Sequence, residues 1–220
     1  MFGIIKKDIK YSVLYQLPLM TLIVSYLFIK RQSVDATFMA LMGSFTFLIV
    51  ISSVMISESH EERSKGYLFL STLPLSTTAI VLGKFLLTLI IDLILVTLSL
   101  ILVSTSEGTV LFKSVGNAFL ILVGTVALIA SALLYIGSFK FGFTKTMRAA
   151  TLTILILVVA TPAVIREFVW PMMSSNVSYV LDMVRDFNWF IVGLLGIFIY
   201  SGLLAVAIKV KAGSSPESYS

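Results

Sequence analysis

Six long apolar runs leave little of this 220-residue chain for any other kind of structure. The runs are residues 12–29, 36–57, 79–103, 115–138, 149–165 and 189–208. A helix needs about 20 mostly apolar residues to cross a bilayer. With 58% hydrophobic and only 12% charged residues, the chain has too little polar surface for a soluble domain. We therefore predict an all-α integral membrane protein, in which residues 1–220 form a single domain of six transmembrane helices.

Two segments outside these runs are predicted to be helical as well. Residues 1–11 combine apolar side chains with Lys6, Lys7 and Lys10, which is typical of an interfacial helix and equally of a positive flank of the first span. Residues 166–188 mix aromatic, methionine and charged side chains. They predict an external helical segment between spans five and six, which either gates the bundle or covers it.

The basic residues are unequally divided between the two sides of the predicted bundle. Five lie on one side, and eleven lie on the side of the two termini, namely Lys6, Lys7, Lys10, Arg63, Lys65, Lys84, Lys140, Lys145, Arg148, Lys209 and Lys211. Because cytoplasmic flanks carry the Lys/Arg excess, we expect a multi-pass protein of the cell (plasma) membrane with both termini in the cytoplasm. The net charge of +5 then reflects topology, and nucleic-acid binding is not predicted.

The segment between spans two and three gathers charge at the cytoplasmic surface. Ser59 followed three residues later by Glu62 has the spacing of a capping box, and Pro74 ends the helix that would follow. Ser76, Thr77 and Thr78 are then placed to cap the third span. The residues alone leave two interpretations open. The segment is a docking element for a soluble protein, or it is a solvated loop with a membrane-hugging helix and no partner.

Part of this segment resembles type-2 ABC transporter permeases. The resemblance lies in Glu62, Gly66, Leu73-Pro74-Leu75-Ser76 and Ile80-Val81-Leu82-Gly83-Lys84. It implies that residues 58–75 form the coupling helix that contacts an ATP-binding subunit. The residues that would make this contact are Glu58, Glu61, Glu62, Arg63, Lys65, Gly66, Leu73 and Pro74. The chain departs from many relatives at Thr77-Thr78, where they have basic residues.

The resemblance also implies a function and a set of partners. The chain is similar to permeases of bacterial exporters of amphipathic peptide toxins and antimicrobial peptides. It would be the membrane subunit of an ABC exporter, paired with a second permease chain, identical or homologous, and surrounded by membrane lipid. Two copies of a separate ABC ATPase subunit would bind and hydrolyse ATP with Mg. The chain itself would not be an enzyme.

The side chains needed for catalysis or metal binding are scarce. The chain has no cysteine and one histidine, whereas a metal site needs three or four converging ligands. Gly83-Lys84 lacks the glycine and the Ser/Thr that a phosphate-binding loop places around this pair. We therefore predict no catalytic residue, no metal site and no cofactor bound by this chain.

Asp92 is an acidic residue near the middle of the third apolar run, where an ionised carboxylate is costly. Lys84 precedes it by about 12 Å along a straight helix, too far for a direct bond. Asp92 is a polar contact at an interface, a residue lining the translocation path, or a protonated carboxyl within the bundle. Two functions other than ATP-driven export stay open: a non-transporting membrane scaffold or regulator, and a self-contained secondary transporter that uses Asp92.

Overall fold

The computed structural model of the protein describes residues 36–63, 76–105, 110–164 and 188–213, and this part of the chain is helical without strands. Its five helices are α1 (Ala36–Arg63), α2 (Thr77–Thr105), α3 (Val110–Phe141), α4 (Phe143–Val164) and α5 (Trp189–Gly213). The predicted all-α class is therefore confirmed for the described residues.

Four of these helices are long and apolar enough to cross a membrane. They are α2, α5, and the parts of α1 and α3 that start at Met42 and Lys113. The helix α4 occupies the position of the fifth predicted span. The first predicted span, the interfacial helix at residues 1–11 and the external segment at 166–188 lie outside the described residues, so the total of six spans stays a prediction.

The central helix of the described bundle is α3, which packs against all four other helices and most extensively against α5. The helices α1 and α2 also contact each other, as do α2 and α5 and the ends of α1 and α4. Each helix that flanks the segment 64–75 is therefore anchored on α3 as well as on its neighbour.

Small residues allow these helices to approach closely. A Cβ added to Gly196 of α5 would lie 2.5 Å from the Thr125 side chain of α3, and one added to Gly193 would lie 3.5 Å from Ile121. Both glycines therefore face α3. Close packing at small residues is a main source of helix association in membranes, where apolar burial between helices contributes little.

Large apolar side chains cover much of the outside of the bundle. Phe198 is 77% exposed, Phe190 68% and Leu152 61%. Such an apolar surface would promote aggregation in water, but in a bilayer it faces the lipid. The buried side chains form two clusters. One surrounds Phe85 and Tyr135, and the other surrounds Ile49 and Leu120.

The predicted helix start at Ser59 is wrong. The helix α1 continues through Ser59 and ends at Arg63, so Ser59 and Glu62 lie in its last turns and form no capping box at the start of a helix. The predicted cap of the third span is confirmed, because the Ala79 backbone N–H donates to Ser76 Oγ at 3.2 Å. Residues 64–75, which include most of the predicted coupling helix, lie outside the described residues.

Candidate functional site

A buried ion-pair cluster joins α1 to α2 near the ends that flank the segment 64–75. The Lys84 Nζ of α2 donates to Glu61 Oε2 at 2.7 Å and to Glu58 Oε1, both on α1. The three side chains are 1%, 10% and 8% exposed for Lys84, Glu61 and Glu58, respectively. Lys84 lies about 10 Å into α2, so the cluster holds the two helices together below their ends.

The position of the two carboxylates follows from helical geometry. Glu58 and Glu61 are three residues apart and lie on one face of α1. That face packs against α2 at the level of Lys84. Because α1 does not end before Arg63, both glutamates keep the helical spacing that allows them to share one ammonium group.

Aromatic rings and a second lysine complete the surroundings of the cluster. The Lys84 Nζ lies 5.9 Å from the ring centroid of Tyr135 and 5.8 Å from that of Phe139. Phe139 also lies under Lys211 of α5, at 5.1 Å, and Lys211 lines the same small cavity as Glu58 and Glu61. Acidic and basic side chains from three helices therefore lie close together here.

The pairing of these charges is what allows the cluster to be buried. A charge taken from water into a bilayer-facing bundle is expensive unless it is paired and hydrogen-bonded. A cavity of about 30 Å³ beside Glu58, Glu61 and Lys211 has room for one water molecule. The arrangement has no nucleophile with an adjacent base, and the described residues contain no group of three or more metal-ligating side chains. What the cluster does in this structure is pair its buried charges and join α1 to α2.

Glu62 forms a second connection from the same end of α1. Its Oε1 accepts from the Thr144 backbone N–H at 3.3 Å, and its Oε2 accepts from the Thr144 hydroxyl at 2.7 Å. Thr144 lies in the first turn of α4, where backbone N–H groups have no intrahelical partner and a carboxylate is favoured. Gly142, with a φ of +82°, makes the sharp turn between α3 and α4 that brings Thr144 to Glu62.

The structure therefore assigns different surroundings to the residues predicted to contact an ATPase. Glu58 and Glu61 are buried in the ion-pair cluster, and Glu62 is bonded to α4. Arg63 is exposed. Lys65, Gly66, Leu73 and Pro74 lie outside the described residues. A direct contact with another protein is thus not available to the buried carboxylates of Glu58 and Glu61 in this conformation.

Asp92 lies apart from the cluster, near the middle of α2. It is 2% exposed, and its Oδ1 accepts no hydrogen bond from the described residues. A Cβ added to Gly124 of α3 would lie 3.5 Å from both carboxyl oxygens of Asp92. The carboxyl group thus points at the α2–α3 contact, and Lys84 is engaged with Glu58 and Glu61 instead.

The comparison with protein families agrees with the helical bundle. A family model described as "ABC-2 family transporter protein" matches residues 3–211, which is nearly the whole chain. The chain belongs to this family. No curated protein and no solved structure matches it. The ABC-2 family consists of membrane permease subunits of ABC transporters, so the predicted resemblance to type-2 ABC transporter permeases is confirmed.

Proposed function

We propose that this ABC-2 permease is the membrane subunit of an exporter driven by separate ATPase subunits. Residues 58–75 would receive the force, and a second permease chain, identical or homologous, would complete the transport path. The observation that carries this proposal is the ion-pair cluster of Lys84 with Glu58 and Glu61. It joins α1 and α2, the two helices that the segment 64–75 connects.

Because of this cluster, a displacement of residues 64–75 would move specific helices. Since α1 and α2 are joined by buried charges near their ends, a pull on residues 64–75 moves the two helix ends together. Glu62 passes the movement to α4 through Thr144, and Phe139, which lies beside both Lys84 and Lys211, extends it to α5. The ATPase would then bias the bundle by binding one arrangement of these ends more tightly than the other.

The proposed substrate is an amphipathic peptide, either a toxin or an antimicrobial peptide. This proposal rests on the similarity of the chain to permeases of bacterial exporters of such peptides. ATP and Mg would be bound by the ATPase, and transport would run out of the cell. The cytoplasmic position of the segment 64–75 follows from the distribution of basic residues. A reporter fused at residue 62 should therefore read cytoplasmic, and one at Asn176 external.

The test of coupling is a charge reversal at Glu62. In Glu62→Lys the carboxylate that holds Thr144 is replaced by a cation at the start of α4, where positive charge is unfavourable. We expect normal membrane levels, a weaker association with the ATPase, and loss of ATP-dependent peptide transport in proteoliposomes. The matched control is Glu217→Lys, which makes the same charge change in the carboxyl-terminal tail. Full transport and full ATPase binding in Glu62→Lys would contradict the proposal.

Secondary transport is a second candidate, because Asp92 has a buried carboxyl oxygen without a partner among the described residues. An ion-coupled carrier would transport in proteoliposomes that contain no ATPase, and would lose this activity in Asp92→Asn. A scaffold would bind the ATPase without transport. Measuring peptide flux with and without ATPase and ATP separates the three functions.

A further inference from the structure

A groove of about 800 Å³ opens between α1 and α4, on a different side of α1 from the ion-pair cluster. On α1 its wall includes Met55, Ser59, His60 and Arg63. Met55, Ser59 and Arg63 follow one another at intervals of four residues, and His60 lies next to Ser59, so these positions form a stripe along one face of α1. The groove thus runs along the axis of α1 toward its end.

The stripe changes its chemistry along the groove. It begins with the apolar Met55 and ends, about 12 Å further along the axis, with the exposed guanidinium of Arg63. The opposite wall is formed by Phe143 and Met147, one turn apart in α4. The groove is therefore apolar toward the middle of the membrane span and basic at the helix end, where the span reaches the membrane surface.

The acidic residues near Arg63 do not cancel its charge within the groove. Glu58 and Glu61 are turned to Lys84, and Glu62 is held by Thr144. Lys145 and Arg148 are exposed in the first two turns of α4 but do not line the groove. The groove therefore ends at the basic side chain of Arg63, with the apolar side chains of Met55 and Met147 beneath it.

We propose that this groove binds an anionic glycerophospholipid of the bilayer. The phosphate would accept hydrogen bonds from Arg63, and one acyl chain would lie against Met55 and Met147. The direction of the apolar-to-basic gradient is that of a lipid in its leaflet, whichever side of the membrane Arg63 faces. A cationic peptide would meet like charge at Arg63, and so would a second copy of the groove. This proposal does not depend on ATP-driven export.

The headgroup half of the site is tested with spin-labelled lipids. The full-length protein is reconstituted, and electron paramagnetic resonance measures the motionally restricted fraction of phosphatidylglycerol against phosphatidylcholine. One basic side chain near the headgroups predicts a preference of roughly fivefold for phosphatidylglycerol. We expect Arg63→Gln to remove this preference and Lys140→Gln to keep it, because Lys140 is an exposed cation that does not line the groove.

The acyl-chain half is tested by filling the groove. Met147→Trp should reduce the restricted fraction of phosphatidylglycerol, whereas Leu133→Trp on an exposed apolar face should leave it unchanged. No preference in the wild type, or a preference that survives both Arg63→Gln and Met147→Trp, would overturn the proposal.

Other occupants are detected with a single cysteine, since the chain has none. In Met147→Cys, phosphatidylglycerol should slow maleimide labelling relative to phosphatidylcholine. Efficient disulfide cross-linking between two copies would instead identify the groove as a contact between permease chains. Protection by a cationic amphipathic peptide and not by phosphatidylglycerol would identify a substrate site. Either result would overturn the lipid proposal.

Discussion

The ion-pair cluster and Asp92 are both buried in α2, about 12 Å apart along its axis, yet their surroundings are opposite. Lys84 contacts two carboxylates of α1 and lies over two aromatic rings. Asp92 has an oxygen without a hydrogen bond from the described residues and faces Gly124. The first site joins helices through charge, whereas at the second the helices meet through close packing.

The difference indicates what each region tolerates. Breaking a buried ion pair leaves a charge without compensation, which is more costly than never having had the pair. A buried carboxyl that lacks a partner already carries a desolvation cost. Replacing it by an apolar group removes this cost and can raise the stability of the protein. We therefore expect the ion-pair cluster to stabilise the fold. We expect the role of Asp92 to be something other than stabilisation.

The largest effect is predicted for Lys84→Met. This change leaves Glu58 and Glu61 buried, adjacent and without their ammonium partner, and should destabilise the protein by about 3–5 kcal/mol. We expect a strongly reduced membrane level and a lowered Tm in detergent. The control is Lys140→Met, since Lys140 is exposed and its loss should leave both quantities near the wild-type values.

The stability lost in Lys84→Met can be restored by removing the two carboxylates as well. In the triple variant Lys84→Met, Glu58→Gln and Glu61→Gln, no buried charge of the cluster remains, so much of the lost stability should return. A triple variant that folds but no longer transports would assign the cluster a role in coupling beyond stability. Failure of the triple variant to recover any stability would contradict the role of uncompensated charge.

A smaller loss is predicted for Gly124→Ala, which fills the space beside Asp92. The new Cβ would lie 2.5 Å from Val96 Cγ2, so α2 and α3 must separate or Val96 must move. Overpacking of this kind costs about 1–3 kcal/mol. Gly202→Ala is the matched control, because nothing lies within 4 Å of its added Cβ. Thermal unfolding in detergent compares the two, and an equal Tm would contradict the close α2–α3 contact.

The third prediction concerns Asp92 itself and has the opposite sign. Asp92→Leu replaces a buried carboxyl by an apolar group of similar size and should raise stability by about 1–2 kcal/mol. Asp92→Asn keeps a polar group at the same place and should gain less. The measurement is the Tm of both variants at neutral pH. A larger fall of Tm in Asp92→Leu than in Asp92→Asn would reveal a stabilising polar partner elsewhere.

The helices could be predicted from the sequence because their signal is local. The apolar run at 79–103 lies within α2, and the run at 189–208 lies within α5. The partner of Lys84 could not be predicted in the same way. Glu58 and Glu61 are 26 and 23 residues away, and only the packing of α1 on α2 decides that they meet. The spacing of two glutamates on one helical face, opposite a lysine within a predicted span, was the available signal.

The end of α1 shows a limit of motif recognition. Ser59 and Glu62 have the spacing of a capping box, but the same spacing is compatible with the interior of a helix. Their flanking residues do not break the helix, so α1 runs through them to Arg63. Glu62 does cap a helix, but it is α4, whose first turn lies 82 residues further along the chain. A local pattern identified the right side chain and the wrong partner.

The smallest effect is predicted for the contact between Glu62 and Thr144, which links the charged end of α1 to α4. Glu62→Gln keeps the size of the side chain but removes its charge, and Thr144→Val removes the hydroxyl that donates to it at 2.7 Å. Loss of a capping interaction costs about 1 kcal/mol, and solvent screening at this exposed contact reduces the ionic part. Each single variant should therefore lower stability by about 0.5–1 kcal/mol.

A double-mutant cycle tests whether these losses arise from the same contact. If they do, the double variant should lose less than the sum of the two single variants, by about 0.5 kcal/mol. Thr153→Val is the matched control, because its hydroxyl donates only within α4, to the Ala149 carbonyl at 3.0 Å. It should be additive with Glu62→Gln. Additivity of Glu62→Gln with Thr144→Val as well would mean that the two residues act separately. In that case α1 would be joined to the bundle through the Lys84 cluster and not through α4, and a pull on the segment 64–75 would reach α4 only by way of α3.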